Sequence, residues 1–239
     1  MTNFLPGIGR VRILGNGTPY GLNLPVTYFN HFVTGSFSGS TSGADSAVFS
    51  TAADVGDWRL TTGGGSPVFP KAYADEGGWM TMTNGASNQL TAQINGAAFR
   101  CQLGKKLGMA LRVNVVTATA IADFFGMAVT GATDPYASRP AGFIGFTITG
   151  TTIEFATANA TTATASVTTG SSITAATAVE LAFEWDGVDT VSFFIDGLLV
   201  KKSTLTIPIG LLLSPVICAD TSAAGSNEHR FDYIMAWAE

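Results

Sequence analysis

The 239 residues are 46% hydrophobic and 12% charged, with a net charge of −5, which is apolar material enough for one large domain with a full core, or a domain plus an arm. So little charge in so apolar a chain excludes intrinsic disorder across the whole length. The only Lys/Arg doublets are Lys105-Lys106 and Lys201-Lys202, so there is no basic face of the kind phosphates need, and nucleic acid is not expected as a partner.

Residues 1–44 differ from the rest. Gly and Pro interrupt them every few positions, and no stretch holds a helical period long enough to nucleate. Phe4, Leu5, Ile8, Val11, Ile13 and Leu14 make the segment too apolar for a solvated linker. It reads as an extended N-terminal arm that docks on its own body or on a neighbouring subunit, with those six side chains as the interface candidates.

From residue 45 to 239 the pattern is strand after strand. Asp57 to Leu60 is followed by a Gly-rich turn, then Gly77 to Asn84, Asn88 to Ile94, Phe99 to Leu103 and Leu107 to Val116. Asp123 to Val129, Gly142 to Gly150 and Thr152 to Ala158 continue the series. Short β-rich runs separated by turn signals at this spacing predict an all-β sandwich or barrel. The Thr/Ala-rich stretch 156–178 predicts one or two exposed strands turning at Gly170. The longest apolar run, Ile207 to Ala219, is too short to span a bilayer and holds two prolines, so no membrane partner is expected. The first ten residues lack the basic and apolar regions of a signal peptide, which predicts synthesis in, and retention by, the cytoplasm.

Phe183 to Lys202, FEWDGVDTVSFFIDGLLVKK, is the most informative stretch. Val179, Leu181, Phe183 and Trp185 alternate with Glu180, Ala182 and Glu184, the period of a strand with one buried side. Val191, Phe193 and Ile195 repeat the pattern after Asp186-Gly187-Val188-Asp189, and Asp196-Gly197 precedes a third strand. Asp-Gly suits tight turns, because Gly reaches positive φ and Asp hydrogen-bonds its own turn. Asp186, Gly187, Asp196 and Gly197 are therefore read as turn formers. Three aspartates divided between the two ends of one strand cannot build a calcium cage.

No catalytic or metal-binding constellation is visible, and no cofactor is expected. The two histidines, His31 and His229, stand far apart without a G-x-S-x-G or HExxH context and read as surface or packing residues. Cys101 and Cys218 sit in apolar contexts and read as buried free thiols.

A strand closing on Glu184-Trp185, a turn, an apolar strand, Ile195-Asp196-Gly197 and another apolar strand resembles the central meander of concanavalin-like jelly rolls. That superfamily includes legume-type lectins, laminin-G-like domains and laminarinase-type glycosidases, and the resemblance implies a jelly-roll sandwich of two antiparallel sheets. Its glycosidases carry a Glu-x-Asp-x-(x)-Glu cluster on one strand, which is missing here. Thr152 to Ala156 has one carboxylate, and Glu180 and Glu184 are about 13 Å apart at strand rise.

Segment order over residues 46–239 is similar, in outline, to the concanavalin-like virion proteins that tailed bacteriophages encode near their capsid genes. The resemblance implies a non-enzymatic capsid decoration (cement) protein on the virion surface, a trimer or dimer that binds the major capsid protein. One alternative is a carbohydrate-binding lectin-like module of a tail or head fibre, with Trp58 and Trp79 beside Gly-rich loops as the sugar platforms. The other is a diverged glycoside hydrolase.

Overall fold

The computed structural model describes residues 89–96, 99–116, 122–129, 131, 142–159, 165–220 and 227–239, together with the strands it places between 4 and 84. Those earlier strands are β1 (Phe4–Leu5), β2 (Gly9–Arg10), β3 (Arg12–Ile13), β4 (Pro19–Tyr20), β5 (Val26–His31), β6 (Ala53–Val55), β7 (Trp58–Thr62), β8 (Val68–Tyr73) and β9 (Trp79–Asn84). The body continues with β10 (Gln89–Ile94), β11 (Phe99–Arg100), β12 (Leu107–Val115), β13 (Ala122–Val129), β14 (Phe143–Thr149) and β15 (Thr152–Ala158). It closes with β16 (Ala165–Ser172), β17 (Ala178–Trp185), β18 (Thr190–Ile195), β19 (Leu198–Thr204), β20 (Leu212–Asp220) and β21 (Asn227–Ala238).

These strands form two antiparallel sheets packed face to face. One runs in the order β16-β15-β14-β13-β20-β10-β7-β6, with β11 also on β20; the other runs β19-β18-β17-β12-β21-β9-β8. On the far side of β21 from β12, β9 pairs with Asn227–Phe231 and β5 pairs with Tyr233–Ala238. Residues 26–31, inside the segment that the sequence sets apart as an arm, are thus a strand of the second sheet. β1–β2 and β3–β4 are separate two-stranded ribbons.

Period-2 alternation explains which faces meet. Leu107, Met109, Leu111, Val113 and Val115 of β12 join Leu181, Phe183 and Trp185 of β17 in one core, against Phe125 and Met127 of β13 and Phe146, Ile153 and Phe155 of β14 and β15. Phe155 is the hub of the aromatic centre, with ring centroids 4.2 Å from Phe193, 5.2 Å from Phe183 and 5.2 Å from Phe146. Burying four such rings supplies a large share of the driving force, since each removes 150–250 Å² or so from water.

Two expectations are corrected here. Trp58 is not an exposed sugar platform: it is 2% exposed and belongs to the core, because its position on β7 pairs with Ile94 and turns its side chain inward. Gly170 does not turn the chain between strands but lies inside β16, at φ 79°, where three residues of β16 bulge opposite Ile153. Thr169 Oγ1 donates to the Ile153 carbonyl at 2.7 Å and accepts from the Ser171 N–H at 3.2 Å, which holds the bulge. The side chains of Trp79, of His31 and of the six interface candidates lie outside the described residues.

Candidate functional site

Alternation leaves Glu180 of β17 and Arg112 of β12 on the outer face of the second sheet, as cross-strand neighbours. On β21 the register shifts between Arg112 and Val113, so that Arg112 faces Tyr233 while Val113 faces Phe231. The extra residue is Asp232. This bulge brings both Asp232 and Tyr233 to Arg112, and the guanidinium Nη1 lies 3.0 Å from Asp232 Oδ2. Tyr233 reaches past Arg112 and donates its hydroxyl proton to Glu180 Oε2 at 2.5 Å. One turn of the pleat further along, Arg230 Nε donates to Glu228 Oε1 at 2.6 Å. Trp237 lies on the same face, its ring over Gly108, where a Cβ would fall 2.1 Å from the indole.

The electrostatics of this row are asymmetric. Burial pushes the Glu180 carboxyl above the usual range; the Tyr233 hydrogen bond and Arg112 pull it down, and Asp196 adds to the rise. Burial, then the Glu180 charge, pushes the Tyr233 phenol up, so it remains a donor at any physiological pH. Glu180 Oε1 and Asn114 Oδ1 are buried acceptors with no hydrogen-bond partner among the described residues. Arg112 is partly exposed, held in plane by Asp232. A fixed guanidinium between carboxylates is suited to binding polar groups with directional hydrogen bonds.

A second polar pair lies between the sheets. Asp123 on β13 and His229 on β21 both point inward, and His229 Nε2 is 2.8 Å from Asp123 Oδ2 with both side chains fully buried. Phe125 and Phe231 pack around the imidazole, with centroids 6.4 Å from it and Phe231 stacked. His229 Nδ1 and Asp123 Oδ1 have no hydrogen-bond partner among the described residues. The pair ties one sheet to the other across the core.

The turn aspartates occupy the ends of β18. Asp186 Oδ1 accepts from the N–H groups of Val188, Asp189 and Thr190 at 2.8, 3.2 and 3.1 Å, and Thr190 Oγ1 donates to Asp189. Gly187 has φ 87° and its Cα sits against the Lys105 backbone, where a Cβ would be 2.8 Å from the Lys105 nitrogen. At the other end Asp196 (φ 50°) and Gly197 (φ 76°) make a two-residue turn with both residues left-handed. Asp196 Oδ1 also accepts from the Glu180 N–H at 2.9 Å, so this turn braces the polar row. Among the described residues no group of three or more His, Cys, Asp or Glu side chains is arranged to hold a metal ion. Cys101 and Cys218 are free and buried, and burial pushes the Cys101 thiol up to about 12.

No protein family matches the sequence, and no curated protein does. Solved structures do match. A protein of unknown function from Shewanella oneidensis MR-1 superposes with a TM-score of 0.56 at 13% identity, over 89% of this chain and 85% of that one. An Emp47p carbohydrate recognition domain gives 0.53 at 12% identity, over 76% and 88%, and the alginate lyase AlyC3 gives 0.51 at 12%, over 70% and 77%. Botulinum neurotoxin type C, described as depending on two ganglioside molecules to get into cells, gives 0.52 at 8% over 82% of this chain but 44% of its own. The chain folds as a concanavalin-like jelly-roll sandwich of two antiparallel sheets.

Neither polar pair is visible in the sequence. Glu180 and Glu184 stand out there only as a rejected carboxylate couple, and their actual partners are Tyr233 on β21 and Lys106 just before β12. The signal available was that Glu180 and Arg112 each place a charge on the second face of a strand whose other face is apolar.

Proposed function

We propose that this protein is a non-enzymatic recognition module that binds a carbohydrate on the outer face of its second sheet, around Arg112, Asp232, Glu228 and Arg230. The observation that carries the reading is the bulge at Asp232, which fixes a partly exposed guanidinium beside carboxylates on one face of a rigid sheet. Sugar hydroxyls both donate and accept, so paired charged side chains of fixed orientation recognise them with few moving parts. Two of the matching structures carry carbohydrate ligands or recognition in their descriptions, dimannuronate on the alginate lyase and the carbohydrate recognition domain itself, which supports the same reading by analogy of fold. A glycan array probed with the wild-type chain and with Arg112→Ala tests it. A defined glycan bound by the wild type and lost in the variant is the expected result; no glycan bound, or equal binding by both, overturns it.

A second reading is a decoration protein of a bacteriophage head that binds the major capsid protein. The order of segments resembles such proteins, and β5 shows an N-terminal segment adding a strand to a sheet edge, the mode by which such a segment can also grip a neighbour. Particles assembled with and without the chain, imaged at low resolution, decide it. Extra density on the shell only when the chain is present is the expected result.

A further inference from the structure

Arg112 of β12 and Glu180 of β17 are direct cross-strand neighbours on the outer face of the second sheet. Residues so placed have Cβ atoms about 4.5–5.5 Å apart, the spacing at which a guanidinium and a carboxylate close into a hydrogen-bonded ion pair. Here the carboxylate goes elsewhere. Glu180 Oε1 has no hydrogen-bond partner among the described residues, and Oε2 accepts from the hydroxyl of Tyr233, on the second strand over. The guanidinium turns to Asp232. The row therefore makes two crossed pairs, Arg112 with Asp232 and Tyr233 with Glu180, in place of the obvious one.

The bulge on β21 permits the crossing, because it brings Asp232 and Tyr233 to Arg112 together. Tyr233 is 2% exposed, so its ring is packed in place and its hydroxyl is held at a fixed height above β17. The Glu180 backbone is fixed as well, since its N–H donates to Asp196 Oδ1, and only its side chain can move. Burial raises the Glu180 carboxyl, and the Tyr233 hydrogen bond opposes that rise more strongly than the Arg112 charge does. Without the hydroxyl, a part-buried carboxylate would have neither oxygen satisfied. The guanidinium of its cross-strand neighbour would be the donor that takes it. The Arg112 side chain is 38% exposed, so donors drawn to Glu180 would be lost to a ligand on this face.

We propose that Tyr233 is a positioning residue of the glycan site, whose hydroxyl holds Glu180 off Arg112 and so keeps the guanidinium for the ligand. The effect on binding rests on the reading of this face as a carbohydrate site; the hold on Glu180 does not.

Tyr233→Phe removes the hydroxyl and keeps the ring, so the packing of β21 is retained. A crystal structure of this variant is expected to show the Glu180 carboxylate hydrogen-bonded to Arg112. A carboxylate that stays clear of the guanidinium overturns the proposal, whatever any glycan does. Titrated with the glycan that the wild type selects on the array, Tyr233→Phe is expected to bind about tenfold more weakly. Tyr233→Phe/Glu180→Gln is expected to recover most of that loss, because the neutral amide competes less for the guanidinium. Equal binding by Tyr233→Phe and the wild type overturns the proposal. So does a double variant as weak as the single one, since damage to the sheet would not be reversed at Glu180. A wild type that binds no glycan, together with a variant whose carboxylate has swung to Arg112, overturns the carbohydrate reading and supports the hold on Glu180.

Discussion

Asp186 and Asp123 are both aspartates that hold the fold together, and they do it in opposite settings. Asp186 stands in water at a turn and takes three backbone N–H groups from the four residues that follow it. Asp123 is sealed between the sheets and depends on one partner, His229, 106 residues further along the chain. The surface carboxylate loses little if one bond fails, because water replaces it. The buried one has no such substitute, so its worth is set by what is left behind when its partner goes.

That contrast orders the expected effects. Asp123→Ala should cost about 3–5 kcal/mol, measured by urea unfolding, because it strands the imidazole in an apolar core. Asp123→Leu combined with His229→Leu should be markedly less destabilising than the single change; equal losses would mean that the two side chains do not act as a pair. Next comes Gly187→Ala, at about 1–3 kcal/mol, since the new methyl meets the Lys105 backbone and φ is positive. Asp186→Ala should cost only about 1 kcal/mol at neutral pH, the loss of a capping side chain.

The Asp186 change has a pH signature. Its desolvation is outweighed by the hydrogen bonds from Val188, Thr190 and Asp189, so its carboxyl lies below the usual aspartate value. The folded state then holds this proton less tightly than the unfolded chain, and the stabilisation is full above the unfolded pKa and lost as pH falls through the folded one. Wild type and Asp186→Ala should therefore converge in acid. Glu180 has the opposite sign. Burial raises its pKa, so folded protein binds the proton more tightly and stability falls as pH rises from the ordinary glutamate value through the raised one. Glu180→Gln should flatten that slope and stabilise the neutral protein by less than about 1 kcal/mol, the smallest effect here; a thermal melt at pH 4 and pH 7.5 reads it.

The same contrast separates what sequence can show from what it cannot. The strands from Leu107 onward are legible because alternation is a local property: Val179 to Trp185 announces its buried face residue by residue, and Asp196-Gly197 announces a left-handed turn within two positions. Asp123–His229 is illegible because nothing near either residue names the other. The polar row is illegible for a further reason. Its geometry depends on the bulge at Asp232, and a bulge leaves little mark in a run as apolar as Tyr233 to Ala238, where Phe231 before it and Ile234 after it both still reach the core. Trp58 failed differently, since an aromatic beside glycines reads the same whether its strand turns it in or out.

The strand order also bears on how the protein is made. β20 lies between β13 and β10, and β21 lies between β12 and the strands β9 and β5, so the middle of each sheet is supplied by residues after 211. A nascent chain that has emerged only as far as residue 211 holds four half-sheets with open edges, even though the aromatic centre around Phe155 is already complete. Neither sheet can be completed before its central strand leaves the ribosome, and until then the edges of β13, β10, β12 and β9 stay open to pairing with the wrong chain.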